Sequence, residues 1–461
     1  MPDKDLSKTL SSVEYRLKEG RISWVKCQFT DISGRLRSFT VPAAALYSDS
    51  SFWEEGMVID GSSVGFAVTE DSDLIALPDP HTFTILPYES ELPEPQRSAR
   101  VTCDLYSPEG FRPHPLDPRG VARRAFEDAV KMGFIRTWLQ PELEFFLLPQ
   151  GWKGDYMNHP GPYPILPKGG YFAPPPQDIT EEFRNDFSFA LRKLGLDIKF
   201  HHHEGGVHQV EIEFRHRPSP VDAGDSAVLY KFLSRILAEK HGFVASYIPK
   251  ISSKDAGNGM HVHLWLEGKN GSAFGDESGP AGLSETALQF IAGVLNHARE
   301  FSAITNPTIN SYKRLIPEFE APVYLCWGPR NRTALIRVPS SADKNRAGDI
   351  EVRSPDPSSN PYLTFATILW AGLEGVERGM NPPEMITGDP SNMSESERRK
   401  LGLGRLPGNL EEAVDEFEGS ELMRRRLGSE FVDAYVDMKR REILDYKVSI
   451  SPWEIERYFD V

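Results

Sequence analysis

Four short apolar segments of this chain each place two ionisable side chains two residues apart: Glu142 and Glu144 in PELEFF, Glu211 and Glu213 in VEIEF, His261 and His263 in MHVHL, and Glu351 and Arg353 in IEVRS. In an extended strand residues i and i+2 share a face, so each pair points one way and its apolar neighbours the other. One such pair is ordinarily the solvated face of an antiparallel strand. Four of them, with Glu204 in HHHEGG just ahead of VEIEF, describe a carboxylate-rich cavity. Such a cavity repels itself unless cations fill it. Oxygen donors with one imidazole suit Mg²⁺ or Mn²⁺ better than zinc.

Other metal and nucleotide signatures fail. In HHHEGGVH, Glu204 and His208 are separated by three residues rather than two, and Gly205–Gly206 would break the helix that a zinc-protease motif needs. No GxxxxGK[ST] occurs, and no GxGxxG follows a strand. Cys27, Cys103 and Cys326 are an odd number without a CxxC pair, which excludes a disulfide framework. With 52 Lys+Arg against 67 Asp+Glu, the net charge of −15 argues against nucleic acid or an anionic membrane as partner. The N-terminus has no apolar core of a signal peptide, and the longest apolar run, YLTFATILWAGL, is too short to span a bilayer. A cytoplasmic protein is expected.

Hydrophobic spacing predicts a helix over 6–19, then strands in ISWVKCQFTD and RLRSFTV around a turn at 31–34. Pro-rich stretches at 77–95 and 111–118 bracket a strand at 99–104, and a boundary falls near 105–115. Beyond it, helices at 117–133, 180–194, 223–240 and 284–301 alternate with the four paired strands. The Pro/Gly-rich segment 159–177 reads as a long functional loop, and the part after Pro382 as polar helices.

Arginine is the second theme. Arg314, Arg332, Arg337 and Arg353 fall within forty residues. Guanidinium groups beside a metal–carboxylate cluster make bidentate clamps for carboxylate or phosphate. Together they describe phosphoryl transfer to an anionic acceptor.

DGSS (60–63), PELEFF, HHHE, GNGMHVH (257–263), NSYKRL (310–315), PEFEAP, RNR and IEVRSPDPSSNPYL resemble, in order and over nearly the whole chain, glutamine synthetase of type I. The resemblance implies an α+β fold: an N-terminal β-grasp domain, 1–108, and a catalytic domain, 109–461, whose curved antiparallel sheet forms a metal-lined bowl flanked by helices. It implies ATP-dependent ligation of ammonia to the γ-carboxylate of glutamate through a γ-glutamyl phosphate. It further implies a dodecamer of two hexameric rings with active sites between neighbours. Carried over by motif, Glu144, Glu204 and Glu211 would hold one metal, and Glu142, His261 and Glu351 a second. Arg314, Arg353 and Gly257 would bind the amino acid. Arg332 and Arg337 would face the transferred phosphate, and His263 the nucleotide. Glu320 would be the flap glutamate. Asp60, from a neighbouring subunit, would deprotonate ammonium in a pocket shared with Ser63, Tyr171 and Glu204.

The sequence also departs from the family pattern. Asp349 stands where an ATP-contacting Arg is common, Trp265 where Ser is usual, and Lys199 where Glu is. An indole at 265 could stack on adenine, and Lys344 or Arg346 could restore positive charge. Ala256 replaces an Asn, the segment from DGSS to Asp73 is one residue short, and no adenylylation tyrosine occurs near residue 390. Two alternatives therefore stand beside ammonia ligation: γ-glutamyl ligation of an organic amine, and a non-catalytic relative.

Overall fold

The computed structural model describes residues 4–48, 51–66, 72–89, 92–151, 170–317, 321–340 and 348–461. After the helix Lys4–Glu19, strands β1 (Trp24–Thr30) and β2 (Leu36–Pro42) pair antiparallel around the expected turn. Asp31 Oδ1 accepts the backbone N–H groups of Ser33 and Arg35, and Gly34 sits at a φ of 86°, a left-handed conformation that costs glycine little. Strands β3 (Met57–Asp60), β4 (Asp73–Ile85), β5 (Ser98–Ser107) and β6 (Arg112–Pro113) complete a six-stranded sheet. Its order is β2-β1-β5-β4-β3, with β1 parallel to β5 and β6 on the outer part of β5.

β4 runs straight through a stretch that the prolines mark as loop. Pro78 faces Cys103 of β5, and the register then slips between Asp79 and Thr84, so Pro80 falls in the irregularity. On its other side β4 pairs with β3 only as far as Ala76. Proline is tolerated where a strand is an edge or bulged, and here it is both.

The second sheet has nine strands: β7 (Arg136–Pro149), β8 (Ile198–His203), β9 (Gln209–Phe214), β10 (Phe243–Ser246), β11 (Met260–Gly268), β12 (Gly271–Ser272), β13 (Tyr324–Pro329), β14 (Ala334–Val338) and β15 (Ile350–Val352). The order is β13-β14-β15-β11-β7-β9-β8, antiparallel except for β13 and β14. Long β7 holds the sheet together: residues 136–143 pair with β11, while the second half pairs with β9 and β10. The sheet thereby curls, and the paired ionisable residues come to one face.

Helices Pro118–Lys131, Glu181–Lys193, Pro220–Lys240, Glu285–Thr305 and Pro361–Glu377 flank it. The last contains the longest apolar run and is buried from Pro361 to Gly375. It lies so close to Glu285–Thr305 that a Cβ at Gly293 would sit 2.2 Å from the carbonyl oxygen of Ala371. Among the described residues, no helix is long and apolar enough to cross a membrane.

Asn360 and Arg119 help to fix the small sheet to the larger part of the chain. Asn360 Nδ2 donates to the Asp31 carbonyl at 3.0 Å. Buried Arg119 donates to Asp79 of β4 and Asp104 of β5 at 2.8 Å, and to Asp225 of the helix Pro220–Lys240 at 2.9 Å. One guanidinium thus holds three carboxylates, and deleting it leaves buried negative charges facing one another. Arg119→Met is expected to destabilise the fold by about 3–5 kcal/mol, measured as a shift in urea unfolding.

Candidate active site

The inner face of the nine-stranded sheet lines a cavity of about 810 Å³. Glu142, Glu144, Glu204, Glu211, His261, His263, Glu351, Gly257, Arg314, Arg332, Arg337, Arg353 and Tyr171 all line it, so most of the residues singled out from sequence converge here. Register explains why: His261 pairs with Glu142, Glu144 with Glu211, and His263 with Glu351 across adjacent strands. Glu320, Lys344 and Arg346 lie outside the described residues.

Ligand atoms of Glu142, His261 and Glu351 come within 4.8 Å of one another, which is the second expected metal set. Glu204 and Glu211 form another such group with His202, whereas Glu144 stands slightly apart. Its Oε2 accepts the Gly259 N–H at 2.7 Å and the Gln209 amide at 3.1 Å. His202 was not singled out as a ligand, although it lies two residues before Glu204, the same alternation that marks the other pairs. A third group joins Glu142, Glu211 and Glu213.

Electrostatics reveal what this set of donors requires. Burial, with Glu204 nearby, pushes the Glu144 carboxyl up to about 8. Burial and the neighbouring carboxylates raise Glu211 well above its ordinary range, and its Oε1 is buried without a hydrogen-bond partner. Burial and Glu142 take Glu213 up to about 7 against the pull of Lys199. The other end of the cavity is balanced by cations. Burial would raise Glu351, but Arg353, His263 and His261 hold it at about 2. Burial and Arg353 lower His261 to about 4, leaving a neutral imidazole able to ligate. Buried oxygen donors, an unpartnered carboxylate oxygen and a neutral imidazole fit divalent cations.

The arginines occupy several roles. Arg337 Nη1 donates to Glu351 Oε2 at 2.7 Å, and Arg353 donates to the other oxygen. Arg353 Nε also donates to the Arg332 carbonyl at 2.8 Å. Arg314 is buried and donates to the carbonyls of Ser354 and Arg353, bracing the turn behind the cavity. Gly259 must stay small there, because a Cβ would meet His261 Nε2 at 2.6 Å and Arg314 Nη2 at 2.8 Å. Gln209, which sequence reading passed over, ties Glu144, the Gly257 carbonyl and Asn258 together through one amide.

On the departing side, His263 lies between Glu142 at 3.0 Å and Asp349 at 3.1 Å. Trp265 does not face the cavity as an adenine platform. Its indole is buried, stacked 5.7 Å from the Trp138 ring, with His216 at 4.4 Å. Tyr171 and Phe172 pack against His202 at the cavity mouth.

Asp60 and Ser63 are not among the residues that line this cavity. Both are exposed at the end of β3, where Ser62 and Ser63 donate to the Asp60 carboxylate. Those hydroxyls hold its pKa at about 2.

Fold and cavity together define an α+β protein whose curled sheet brings together carboxylates and imidazoles that could hold metal ions, beside a set of arginines. The chain matches the family models described as glutamine synthetase, beta-Grasp domain, over residues 21–108, and glutamine synthetase, catalytic domain, over residues 115–458. It is 39% identical to the glutamine synthetase of Archaeoglobus fulgidus, covering 96% of both chains. It is 38% identical to that of Thermotoga maritima, covering 98% of this chain and 99% of the relative. Its fold is similar to the solved structure of GmaS with ADP, at a TM-score of 0.84 and 28% identity, over 97% of this chain and 99% of that one. The chain belongs to the glutamine synthetase family.

Raised carboxyl groups set a pH window. Glu144 and Glu213 favour their protonated forms in the folded state, so their contribution to stability is present at low pH. It is lost as the pH climbs from the ordinary carboxylate range through about 7 and about 8. Metal-free protein should therefore melt at a lower temperature at pH ~8 than at pH ~6. Mn²⁺ should bind more tightly at the higher pH and expel protons, measured by calorimetry in buffers of differing ionisation enthalpy. Heat independent of buffer would contradict this assignment.

Proposed function

We propose that this protein is an ATP-dependent ligase that joins ammonia to the γ-carboxylate of L-glutamate, releasing ADP and phosphate through a γ-glutamyl phosphate. One observation carries the reading: two carboxylate–imidazole groups and the arginines Arg332, Arg337 and Arg353 share a single cavity. A carboxylate is a poor electrophile, because its charge repels nucleophiles and oxide leaves badly. Phosphorylation replaces that leaving group with phosphate. Divalent ions, Mg²⁺ or Mn²⁺, would supply positive charge at the phosphoryl and carboxylate oxygens when bound. Glu142, His261 and Glu351 would hold one, and Glu204 and Glu211, with Glu144 or His202, another.

The chain's own groups supply the rest. Arg314 keeps Gly257 and the 353–355 turn in place, and Arg353 presents a guanidinium to the amino acid. Arg332 and Arg337 would offset charge on the transferring phosphoryl group. His263, with an acidic partner on each side, would reach the nucleotide. Glu320 would close over the acyl phosphate and exclude water. Ammonium has no lone pair until it loses a proton, so an anionic pocket of Glu204, Ser63, Tyr171 and Asp60 would bind it and accept that proton. Asp60 and Ser63 would come from a neighbouring subunit. That arrangement calls for a homo-oligomer, for which we propose the dodecamer of two hexameric rings, working in the cytoplasm in nitrogen metabolism.

A second reading, ligation of an organic amine, has its own support. Beside Glu204 a Cβ at Gly205 would meet nothing within 4 Å, and Phe200 and Tyr171 are exposed at the same mouth. Glutamate-dependent phosphate release, compared across ammonium, alkylamines and aromatic amines, decides between them. Ammonium is expected to give the highest turnover, and a large excess with an amine would overturn that. Glu351→Ala should weaken Mn²⁺ binding by at least about 100-fold and nearly abolish turnover. Asp60→Ala should raise the KM for ammonium steeply while leaving Mn²⁺ binding intact, as measured by calorimetry.

A further inference from the structure

β8 runs along the edge of the nine-stranded sheet. Alternation along it sends Phe200, His202 and Glu204 toward the cavity and should send Lys199 away. The pairing with β9 slips at this point: Ile198 faces Phe214 and Phe200 faces Glu213, leaving Lys199 as an extra residue between them. A bulge of this kind re-aims the side chain it carries. Lys199 consequently lines the cavity, where its ammonium donates to Glu213 and lies 4.8 Å from the centre of the Phe200 ring.

Glu213 belongs to the third carboxylate group, with Glu142 and Glu211, whose oxygens come within 4.8 Å. Glu211 and Glu213 are almost fully buried, and Glu211 Oε1 has no hydrogen-bond partner. Three carboxylates at this spacing would gather a divalent ion of their own. Here a positive charge is already built in, and Gln140 Nε2 steadies the same Glu213 carboxylate at 3.0 Å.

We propose that the Lys199 ammonium, turned inward by the bulge in β8, stands in for a third divalent cation at the Glu142–Glu211–Glu213 group and so limits the cavity to two metal ions. The inference rests on the reading that the other two groups bind such ions. An ammonium held at this point supplies positive charge beside Glu213 without drawing on free metal. It also leaves Glu142 and Glu211 to serve the remaining ions.

The test is a count of Mn²⁺ bound per chain, by calorimetry and by the electron paramagnetic resonance of free Mn²⁺, on protein first stripped with a chelator. Wild type should bind two and Lys199→Met three, while Lys199→Arg, which keeps the charge, should bind two. Adding Glu213→Gln to Lys199→Met should return the count to two, because the freed ligand is gone. Circular dichroism melts establish that each variant is folded, and Lys199→Gln serves if Lys199→Met is not. Equal counts in wild type and a folded Lys199→Met or Lys199→Gln overturn the role of the lysine. A wild-type chain that binds no Mn²⁺ overturns the cation reading on which that role depends.

Discussion

Mutual repulsion among carboxylates in one cavity is the constraint to which the rest of this structure answers. Glu142, Glu144, Glu204, Glu211, Glu213 and Glu351 share a space of about 810 Å³. Water could dissipate that repulsion only if the cavity were open, and most of these groups are buried or nearly so. The chain offsets it unevenly. Glu351 is neutralised by Arg337 and Arg353, and Glu142 by His263, whereas burial raises the pKa of Glu144 and Glu211. Uneven compensation separates the part of the cavity that is charged in advance from the part that waits for a cation.

Holding such groups together takes a rigid support, and the sheet provides it. The candidate ligands Glu142, Glu144, Glu211, His261 and Glu351 sit within strands whose alternate residues are packed core: Leu143 and Phe145 behind Glu144, Val262 between the two histidines, Ile350 and Val352 around Glu351. Burial of each large apolar side chain contributes about 1.5–3 kcal/mol, and the same strands spend part of that in confining like charges. The helix Pro361–Glu377, buried along nearly its whole length, backs the scaffold. Seating these groups on strands limits how far one of them can relax when its neighbour changes.

Period-two alternation made much of this legible in advance. It put Glu142, Glu144, Glu211, His261, His263, Glu351 and Arg353 on one face before any coordinates, and the registers between β7, β9, β11 and β15 agree with it. What escaped notice has physical causes. β4 was hidden because proline argues against strands in general, whereas here it falls at an edge and a register slip. Lys199 defied its parity because a bulge adds a residue without changing composition. His202 shares the i, i+2 spacing with Glu204 but was masked by the run of three histidines, and Gln209 matters through Asn258, distant in sequence, which no local pattern announces. Trp265 looked like a ligand platform only while its cross-strand partner Trp138 was unknown.

The two guanidiniums on Glu351 have a further consequence. Arg337 and Arg353 each give one N–H group to an oxygen of that carboxylate, which is thereby held between two guanidiniums. Releasing Glu351 to another partner frees both arginines in the same event. One carboxylate thereby couples guanidiniums from two separate stretches of the chain to a single event.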